Sequence, residues 1–384
     1  MIIGVSGYIG QRKTGIGRTL ENVLLLSAKA RPSDIFYLFT NYDQVDLTGV
    51  EWPDNVKIIL INVSCKSPVL NILWHQIGFQ YNLRKFKCDI ALIPNFSLLL
   101  WKVCPTIVVV HDLIEFHVKN KFSRLRMLYR YLSVPLLAHR GDFIITDSES
   151  SKNDIIEILR VKASKVRVAY CGYDPLRFAP QPLEVTTRVL AKYSLQPFSY
   201  VLSIGTVDFP GKNVYSLIKA YFLLREKGSI DCKLLVVGKP GHRYEKILEL
   251  VKSSRHQNDV VFLGYIDDTD LPSFYNGALL FGFLSFYEGF GLPVLEAMAC
   301  GCPVIASKAS SLPEIVGNAG SLVDPSNIEE ISAAMENILL SSSLQEQYKK
   351  EGMEQVRKFS WEAAAEVYGE AFSRFSSRIG LEHS

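Results

Sequence analysis

Short apolar runs rich in β-branched residues alternate along the whole chain with stretches of helical periodicity, and this alternation constrains the fold most. Continuous apolar strands alternating with helices are typical of parallel sheets covered on both faces. Because 384 residues are long for one hydrophobic core, we expect two such α/β domains. The predicted strands span residues 2–5, 35–40, 57–61, 90–93, 106–110, 143–146 and 166–169, then 200–204, 234–237, 260–263, 279–284, 303–306 and 321–323.

The boundary between the two domains is predicted from a cluster of prolines. Pro175, Pro180, Pro182 and Pro197 fall in residues 174–197, where helical periodicity is weak before Val189. The prediction is therefore a Rossmann-like domain at 1–180, a second Rossmann-like domain at 181–365, and a C-terminal helix at 366–384 that packs back on the first. Ligands of open α/β sheets bind at the carboxyl ends of the strands, so we expect the domains to face a central cleft.

The composition excludes several classes of function. A formal net charge of +3 is too small to indicate binding to nucleic acid. The seven cysteines form no disulfide framework, which favours a reducing compartment and a cytoplasmic protein. Cys300 and Cys302 have no second ligand pair nearby, so no zinc site is predicted. We see no signal peptide, and the most apolar long segment, 91–110, is interrupted by prolines and a lysine, so no membrane span is expected.

The strongest local signal lies where a glycine-rich turn joins the predicted strand 279–284 to a helix. Glu288 begins this turn, the helix opens near Leu292 and Pro293, and Glu296 follows about one turn later. Glycines let the backbone approach a ligand closely, and the free N–H groups of a helix N-terminus attract anions. Carboxylates in such a place accept hydrogen bonds from sugar and ribose hydroxyls. The pattern predicts a binding site for a diphosphate whose attached sugar and ribose contact the two carboxylates.

This string resembles the E-x7-E signature of the family 4 retaining glycosyltransferases (group 1, GT-B fold), and the mannosyltransferase-like branch fits best. The resemblance continues at residues 15–18 (Gly-Ile-Gly-Arg), 111–113 (His-Asp-Leu), 147–148, 205–213 with its final Lys-Asn, 262–266, 311–317 and 359–361. It implies transfer of a hexose, with mannose as the first choice, from a nucleoside-diphosphate sugar to a glycan or lipid-linked acceptor in polysaccharide or cell-surface glycan synthesis. It also implies retention of configuration and no cofactor or metal ion. GDP-mannose is the first donor expected, and a UDP-sugar is the second.

The resemblance assigns roles residue by residue. Glu288 contacts the donor sugar, Lys212 neutralises the diphosphate, and His111 faces the reacting sugar. Glu296 contacts the ribose. The other donor-side positions are Gly15, Gly17, Thr206, Gly264, Tyr265, Ile266, Gly289, Phe290, Gly291 and Leu292, and Asp112 and Ser148 are placed on the acceptor side.

Two positions depart from the family pattern, because Thr206 and Gly211 stand where many members carry arginine. Thr206 recurs in the mannosyltransferase-like branch. Gly211 removes a positive charge, so we expect Lys212 to carry more of the phosphate binding.

Two further motifs imitate other classes of protein. The glycines at 4, 7 and 10, with Tyr81 and Lys85, imitate a short-chain dehydrogenase, but the polar residues 11–15 do not suit its helix. Asp268-Thr269-Asp270 imitates a metal-binding D-x-D, yet it precedes Leu271-Pro272 and is typical of a helix start. Two alternatives stay open: a nucleotide-sugar epimerase of the same architecture and a non-catalytic sugar-nucleotide-binding protein.

A basic segment in the first half has two interpretations. Residues 116–141 contain no acidic residue, and Leu125, Leu128 and Leu132 recur there at helical spacing. The basic residues are Lys119, Lys121, Arg124, Arg126, Arg130 and Arg140. In one interpretation residues 119–140 bind weakly to anionic lipid at the inner face of the plasma membrane, near a lipid-linked acceptor. In the other, an ordinary helix packs its leucines on the sheet and exposes its arginines.

Overall fold

The computed structural model describes residues 1–7, 15–41, 50–61, 68–97, 99–119, 121 and 123–382. By their contacts they form two compact units. The first comprises Met1–Leu113, Arg124–Gly172 and Ser360–Ser384, and the second comprises Ile114–Ser123 and Tyr173–Phe359. The units therefore change at 172/173 and 359/360, compared with 180/181 and 365/366 in the sequence prediction, and residues 114–123 count with the second unit.

The first unit is built on a parallel sheet in the order β3-β2-β1-β4-β5-β6-β7. Its strands are β1 (Ile2–Ser6), β2 (Ile35–Asn41), β3 (Val56–Ile61), β4 (Ile90–Ile93), β5 (Thr106–Val109), β6 (Phe143–Thr146) and β7 (Val166–Val168). Strands β4, β5 and β6 are buried along their whole length, as the continuous apolar runs predict. The strand order reverses between β1 and β4, which is the switch point of such a sheet.

Helices cover this sheet. They span Gly15–Ala30, Pro68–Leu73, Phe79–Lys85, Arg124–Arg140, Glu149–Glu157 and Trp361–Glu382, and a π-helical turn occupies Trp74–Gly78. This π-helical turn separates the helices Pro68–Leu73 and Phe79–Lys85. Helix Trp361–Glu382 packs on the first unit, where the Phe372 and Phe36 rings meet edge to face at 5.9 Å. None of the helices in the described part of the chain has both the length and the apolar character that crossing a membrane requires.

The second unit has a parallel sheet in the order β10-β9-β8-β11-β12-β13. Its strands are β8 (Tyr200–Ile204), β9 (Lys233–Val237), β10 (Val260–Gly264), β11 (Leu280–Phe283), β12 (Val304–Ser307) and β13 (Ser321–Val323). Its helices span Ile114–His117, Leu183–Ala191, Val214–Lys227, Tyr244–Lys252, Leu271–Asn276, Leu292–Ala299, Leu312–Val316, Ile328–Leu340 and Ser342–Gln355. The order reverses between β8 and β11, so the α/β prediction of two parallel-sheet domains is confirmed.

Helix Leu183–Ala191 begins where the sequence shows only weak helical periodicity before Val189. It begins directly after Pro182, whose fixed backbone suits a helix start. Thr186 and Leu190 are its buried residues, so one narrow stripe faces the protein. A stripe this narrow gives a weak periodicity in the sequence.

Candidate active site

Two loops leave the carboxyl ends of β8 and β11, the strands that flank the switch point of the second unit. The first loop ends at Lys212, and the second carries Glu288. Lys212 Nζ lies 2.6 Å from Oε1 and 2.8 Å from Oε2 of Glu288. The structure thus joins two residues that are 76 positions apart and that the sequence singles out separately.

The backbone of the first loop is held in place by Asp208 and by the second loop. Gly205 has a φ of +148°, a conformation that side-chain-bearing residues rarely adopt. The Lys212 backbone N–H donates to Asp208 Oδ1 at 2.7 Å, and the Phe286 N–H donates to the Gly211 carbonyl at 3.1 Å. The lysine is therefore presented from a fixed backbone.

The second loop is held by two serines that follow β12. The Glu288 N–H donates to Ser310 Oγ at 2.9 Å, and Ser311 Oγ donates to the Glu288 carbonyl at 3.1 Å. Gly291 then adopts a φ of +129° and is followed by helix Leu292–Ala299. This turn places Glu288 shortly before a helix N-terminus, where backbone N–H groups and the helix dipole favour an anion.

The remaining predicted donor residues of this turn differ in exposure. Gly289 and Leu292 are partly exposed, whereas Phe290 is buried and contacts the Phe359 ring at 5.8 Å. Glu296 is only 5% exposed, and its Oε2 accepts a hydrogen bond from the Tyr275 hydroxyl at 3.1 Å. The structure places this carboxylate within the helix packing.

The predicted base-contacting residues lie at the end of β10. Gly264 closes the strand with a φ of +68°, and Ile266 is buried. Tyr265 is 65% exposed, and Lys239 Nζ stands 4.9 Å from the centre of its ring. Thr206 is exposed in the loop after β8. An open aromatic ring offers a face on which a flat base can stack.

The predicted residues of the first unit centre on His111, which follows β5. Its Nδ1 lies 2.7 Å from Asp147 Oδ2, and its Nε2 lies 2.9 Å from the Pro94 carbonyl oxygen. Burial opposes the charged imidazolium, but the Asp147 carboxylate and the hydrogen bonds outweigh it and raise the pKa of His111 to about 8. At neutral pH the ring is therefore an imidazolium that donates from both nitrogens.

The other predicted residues of the first unit have structural partners. Asp112 accepts a hydrogen bond from Arg130 Nη2 at 3.2 Å. Ser148 is buried at the N-cap of helix Glu149–Glu157, where its Oγ accepts the Ser151 N–H at 3.0 Å. Gly15 and Gly17 lie in the first turn of helix Gly15–Ala30.

The sequence interpretation missed Asp208 and Ser310, which hold the two site loops through the bonds given above. Asp208 lies inside the recognised motif 205–213 and was available to sequence reasoning as an acid next to the predicted phosphate site. Ser310 gave no signal, because its role depends on the pairing of β11 with β12.

The structure describes the D-x-D motif but only part of the dehydrogenase-like turn. Asp270 stands at the N-cap position of helix Leu271–Asn276, but its side chain makes no cap; it pairs with Lys192 Nζ at 2.9 Å and the Tyr193 hydroxyl at 2.8 Å. Within the described ranges, no three His, Cys, Asp or Glu side chains are grouped to hold a metal ion. Residues 8–14 of the dehydrogenase-like turn lie outside the described residues.

Comparison with known proteins gives matches over nearly the whole chain. The family model of glycosyl transferases group 1 matches residues 195–355, and that of Glycosyltransferase Family 4 matches residues 34–177. O-antigen chain mannosyltransferase B of Escherichia coli is 32% identical over 359 residues, which cover 91% of this chain and 93% of that protein. The serotype-specific mannosyltransferase WbdA of Escherichia coli is 31% identical over 278 residues, 71% of this chain and 34% of WbdA.

Solved structures agree with the fold. Sucrose-phosphate synthase from Thermosynechococcus elongatus matches with a TM-score of 0.79 at 21% identity, over 98% of this chain and 99% of that one. Anabaena HepE, in complex with UDP and glucose, matches with a TM-score of 0.72 at 19% identity, over 97% and 99%. At these identities the likeness shows the fold class, which is the predicted GT-B class of two Rossmann-like domains.

Proposed function

The chain belongs to the group 1 glycosyl transferases, in their mannosyltransferase-like branch, and from that premise we propose that it moves a hexose, mannose in first place, from a nucleoside-diphosphate sugar to a glycan or lipid-linked acceptor. The observation that carries this proposal is the Lys212–Glu288 pair at the switch point of the second sheet. A cation and a carboxylate are the groups needed to hold a diphosphate and the hydroxyls of its sugar.

Departure of the nucleoside diphosphate is the step that this site supports. When the anomeric C–O bond breaks, positive charge develops on the sugar and negative charge on the leaving phosphate oxygen. Lys212 and the N–H groups that open helix Leu292–Ala299 supply positive charge from a fixed backbone, so little reorganisation is needed during the reaction. Glu288, which holds Lys212 before the donor arrives, then accepts hydrogen bonds from the sugar.

The acceptor oxygen forms the new bond on the face that the diphosphate leaves, so the configuration is retained. Its proton passes to the departing phosphate oxygen, and the products are the glycoside and the nucleoside diphosphate. No protein general base and no metal ion is part of this proposal.

Further donor contacts are proposed from the family resemblance, residue by residue. Glu296 is assigned to the ribose, Gly264, Tyr265 and Ile266 to the base, and Gly15, Gly17 and His111 of the first unit to phosphate and sugar. Asp112 and Ser148 are assigned to the acceptor. For Glu296 this role requires its carboxylate, now bonded to the Tyr275 hydroxyl, to bond the ribose as well; a carboxylate has four lone-pair sites for such sharing.

GDP-mannose is the first donor proposed, because the two Escherichia coli relatives reported above are mannosyltransferases by name. A UDP-sugar is the second. A thermal-shift screen separates them, since a ligand at 100 times its Kd stabilises a protein by about 2.7 kcal/mol. We expect GDP-mannose and GDP to raise the Tm, with UDP-sugars giving a smaller rise.

This screen and an assay of nucleoside-diphosphate release, with and without acceptor, decide between the alternatives. A larger shift with UDP-sugars than with GDP-mannose contradicts the donor assignment, and no shift with any sugar nucleotide contradicts the site. Conversion of the nucleotide sugar to its epimer, without release of nucleoside diphosphate when acceptor is added, identifies an epimerase instead. Binding of a sugar nucleotide without either reaction identifies a non-catalytic sugar-nucleotide-binding protein.

A further inference from the structure

The segment Ile114–Ser123 lies in the first half of the sequence, but its contacts belong to the second unit. It contains the short helix Ile114–His117, after which the chain continues to Lys121. The His117 ring stacks on the Tyr287 ring, with centroids 4.3 Å apart and planes at 14°. Tyr287 directly precedes Glu288, so the helix Ile114–His117 lies next to the candidate active site.

Lys121 forms an ion pair with Asp208, in the loop that ends at Lys212. The two side chains are only 11% and 6% exposed, so this is a largely buried pair rather than a surface one. Asp208 uses Oδ2 for Lys121 and Oδ1 for the backbone N–H of Lys212. One carboxylate therefore links two lysines from distant parts of the sequence.

The position of Lys121 coincides with the space that a side chain at Gly211 would need. A Cβ built on Gly211 meets the Lys121 ammonium group, the Lys121 Cδ at 2.8 Å and Asp208 Oδ1 at 2.9 Å. By the family resemblance, Gly211 also stands at a position where many members carry an arginine. The charge missing at residue 211 is thus present in the same space, on a lysine supplied from 90 residues earlier.

We propose that Lys121 is a second diphosphate-binding cation of the donor site, replacing a side chain at residue 211. The proposal rests on the proposed function, because it takes the ligand to be a nucleoside diphosphate. Lys121 has three ammonium protons, so bonding to Asp208 leaves donors for a phosphate oxygen. Asp208 holds the ammonium group in place while the site is empty of nucleotide.

The test compares nucleotide binding by the full-length protein and by Lys121→Met. Calorimetric titration with GDP, UDP and the matching nucleosides guanosine and uridine separates a phosphate contact from a general loosening of the site. A charge-assisted hydrogen bond to phosphate corresponds to about tenfold or more in Kd. We expect Lys121→Met to weaken diphosphate binding by that factor and to leave nucleoside binding unchanged. Lys119→Met, an exposed lysine of the same segment, is the matched control and should bind like the wild type.

Moving the positive charge from residue 121 to residue 211 provides an independent test. Gly211→Arg alone should weaken diphosphate binding, because the new side chain collides with Lys121. In the Lys121→Ala background the same Gly211→Arg change should recover most of the lost affinity, because the vacated space admits the arginine. This recovery does not depend on the stability of the Lys121→Met variant, since it measures a gain.

Each result decides one claim. If the wild type binds neither GDP nor UDP, the proposed function fails and this inference fails with it. If the wild type binds and Lys121→Met binds equally well, only this inference is overturned. Equal weakening of nucleoside and diphosphate, or no recovery in the swap, assigns Lys121 a purely structural role and also overturns it.

Discussion

The pKa values of two buried histidines of the first unit are shifted in opposite directions. His111 has a pKa raised to about 8 beside Asp147, although burial alone would lower it. His75 is buried, and burial lowers its pKa to about 4 even though it bonds the Asn71 carbonyl. A neutral His75 donates from Nδ1 to that carbonyl and accepts at Nε2 from the Ser6 hydroxyl, 2.9 Å away. One ring is thus held charged and the other neutral.

We predict that the first unit loses stability as the pH rises from about 6.5 to above 8. A group whose pKa is higher in the folded than in the unfolded state stabilises the fold fully below its unfolded-state pKa. That stabilisation is lost as the pH rises through the folded-state pKa. Over the complete titration, from well below pH 6.5 to well above pH 8, this shift lowers the free energy of unfolding by about 2 kcal/mol, and most of that falls above pH 6.5. His75 does not interfere, because its lowered pKa makes its contribution disappear only below about pH 6.5.

Urea unfolding at pH 6.5 and pH 8.5 checks this prediction, with Asp147→Asn as the comparison. The variant keeps a hydrogen-bond acceptor but removes the charge, so its stability should change little over this interval. An equally steep loss in Asp147→Asn would show that other groups cause the pH dependence.

Single residues were predictable from the sequence where one local motif contains them. Lys212 and Glu288 each stand in a recognisable string, and the structure brings them together. Lys121 appeared only as one of six basic residues in a segment, because its partner Asp208 is 87 positions away. Nothing local in the sequence shows that residues 114–123 leave the unit of their neighbours.

The helix Arg124–Arg140 does not fit the interpretation as an ordinary helix that packs its leucines and exposes its arginines. The prediction that an ordinary helix packs its leucines on the sheet is wrong for Leu125, Leu128 and Leu132, which are 82%, 57% and 66% exposed. Arg130, expected on a solvated face, is instead buried, with its guanidinium 4.0 Å from the centre of the Phe96 ring. Its pairing with Asp112 satisfies the charge.

We predict weak, reversible binding of this helix to anionic membranes. The three exposed leucines offer apolar area, and Arg124 and Arg126 are exposed beside them. Each basic residue near an anionic surface adds about 1 kcal/mol. In vesicle sedimentation the protein should pellet with anionic vesicles but not with neutral ones, and high salt should release it.

Replacing the three leucines by serine should abolish this sedimentation. The matched control replaces three exposed leucines elsewhere, Leu176, Leu183 and Leu340, by serine and should sediment like the wild type. Equal recovery of all proteins in the supernatant would refute membrane binding. Equal loss of sedimentation in both triple variants would show that membrane binding is not specific to this helix.

Strands were predictable within a residue or two because most contain a continuous apolar run, and β4 and β6 are buried along their whole length. Helix boundaries were less predictable where tertiary packing determines them. Helix Leu183–Ala191 buries too narrow a stripe to show in the sequence, and the π-helical turn Trp74–Gly78 has no distinctive pattern. The spacing of apolar residues reports which face is buried, but not a local change in winding.

At the scale of the whole molecule, we predict that transfer needs no divalent metal ion. The proposed site uses Lys212, Lys121 and the start of helix Leu292–Ala299 as its positive groups, so it has a source of charge for the leaving diphosphate. Turnover in excess EDTA should match turnover in magnesium or manganese. Complete loss in EDTA, restored by either ion, would contradict this.

The central claim is that Lys212 and Glu288 together drive release of nucleoside diphosphate. The direct measurement is the rate of that release from the donor chosen by the thermal-shift screen, in the presence of acceptor. The variants are Lys212→Met and Glu288→Gln. Lys349→Met and Glu346→Gln, which alter a surface pair whose atoms are also 2.6 Å apart, are the matched controls. We predict that each active-site change lowers turnover about a hundredfold or more, on the scale of losing one preorganised electrostatic partner, while the surface changes leave it intact. Turnover like the wild type in both Lys212→Met and Glu288→Gln would contradict the account.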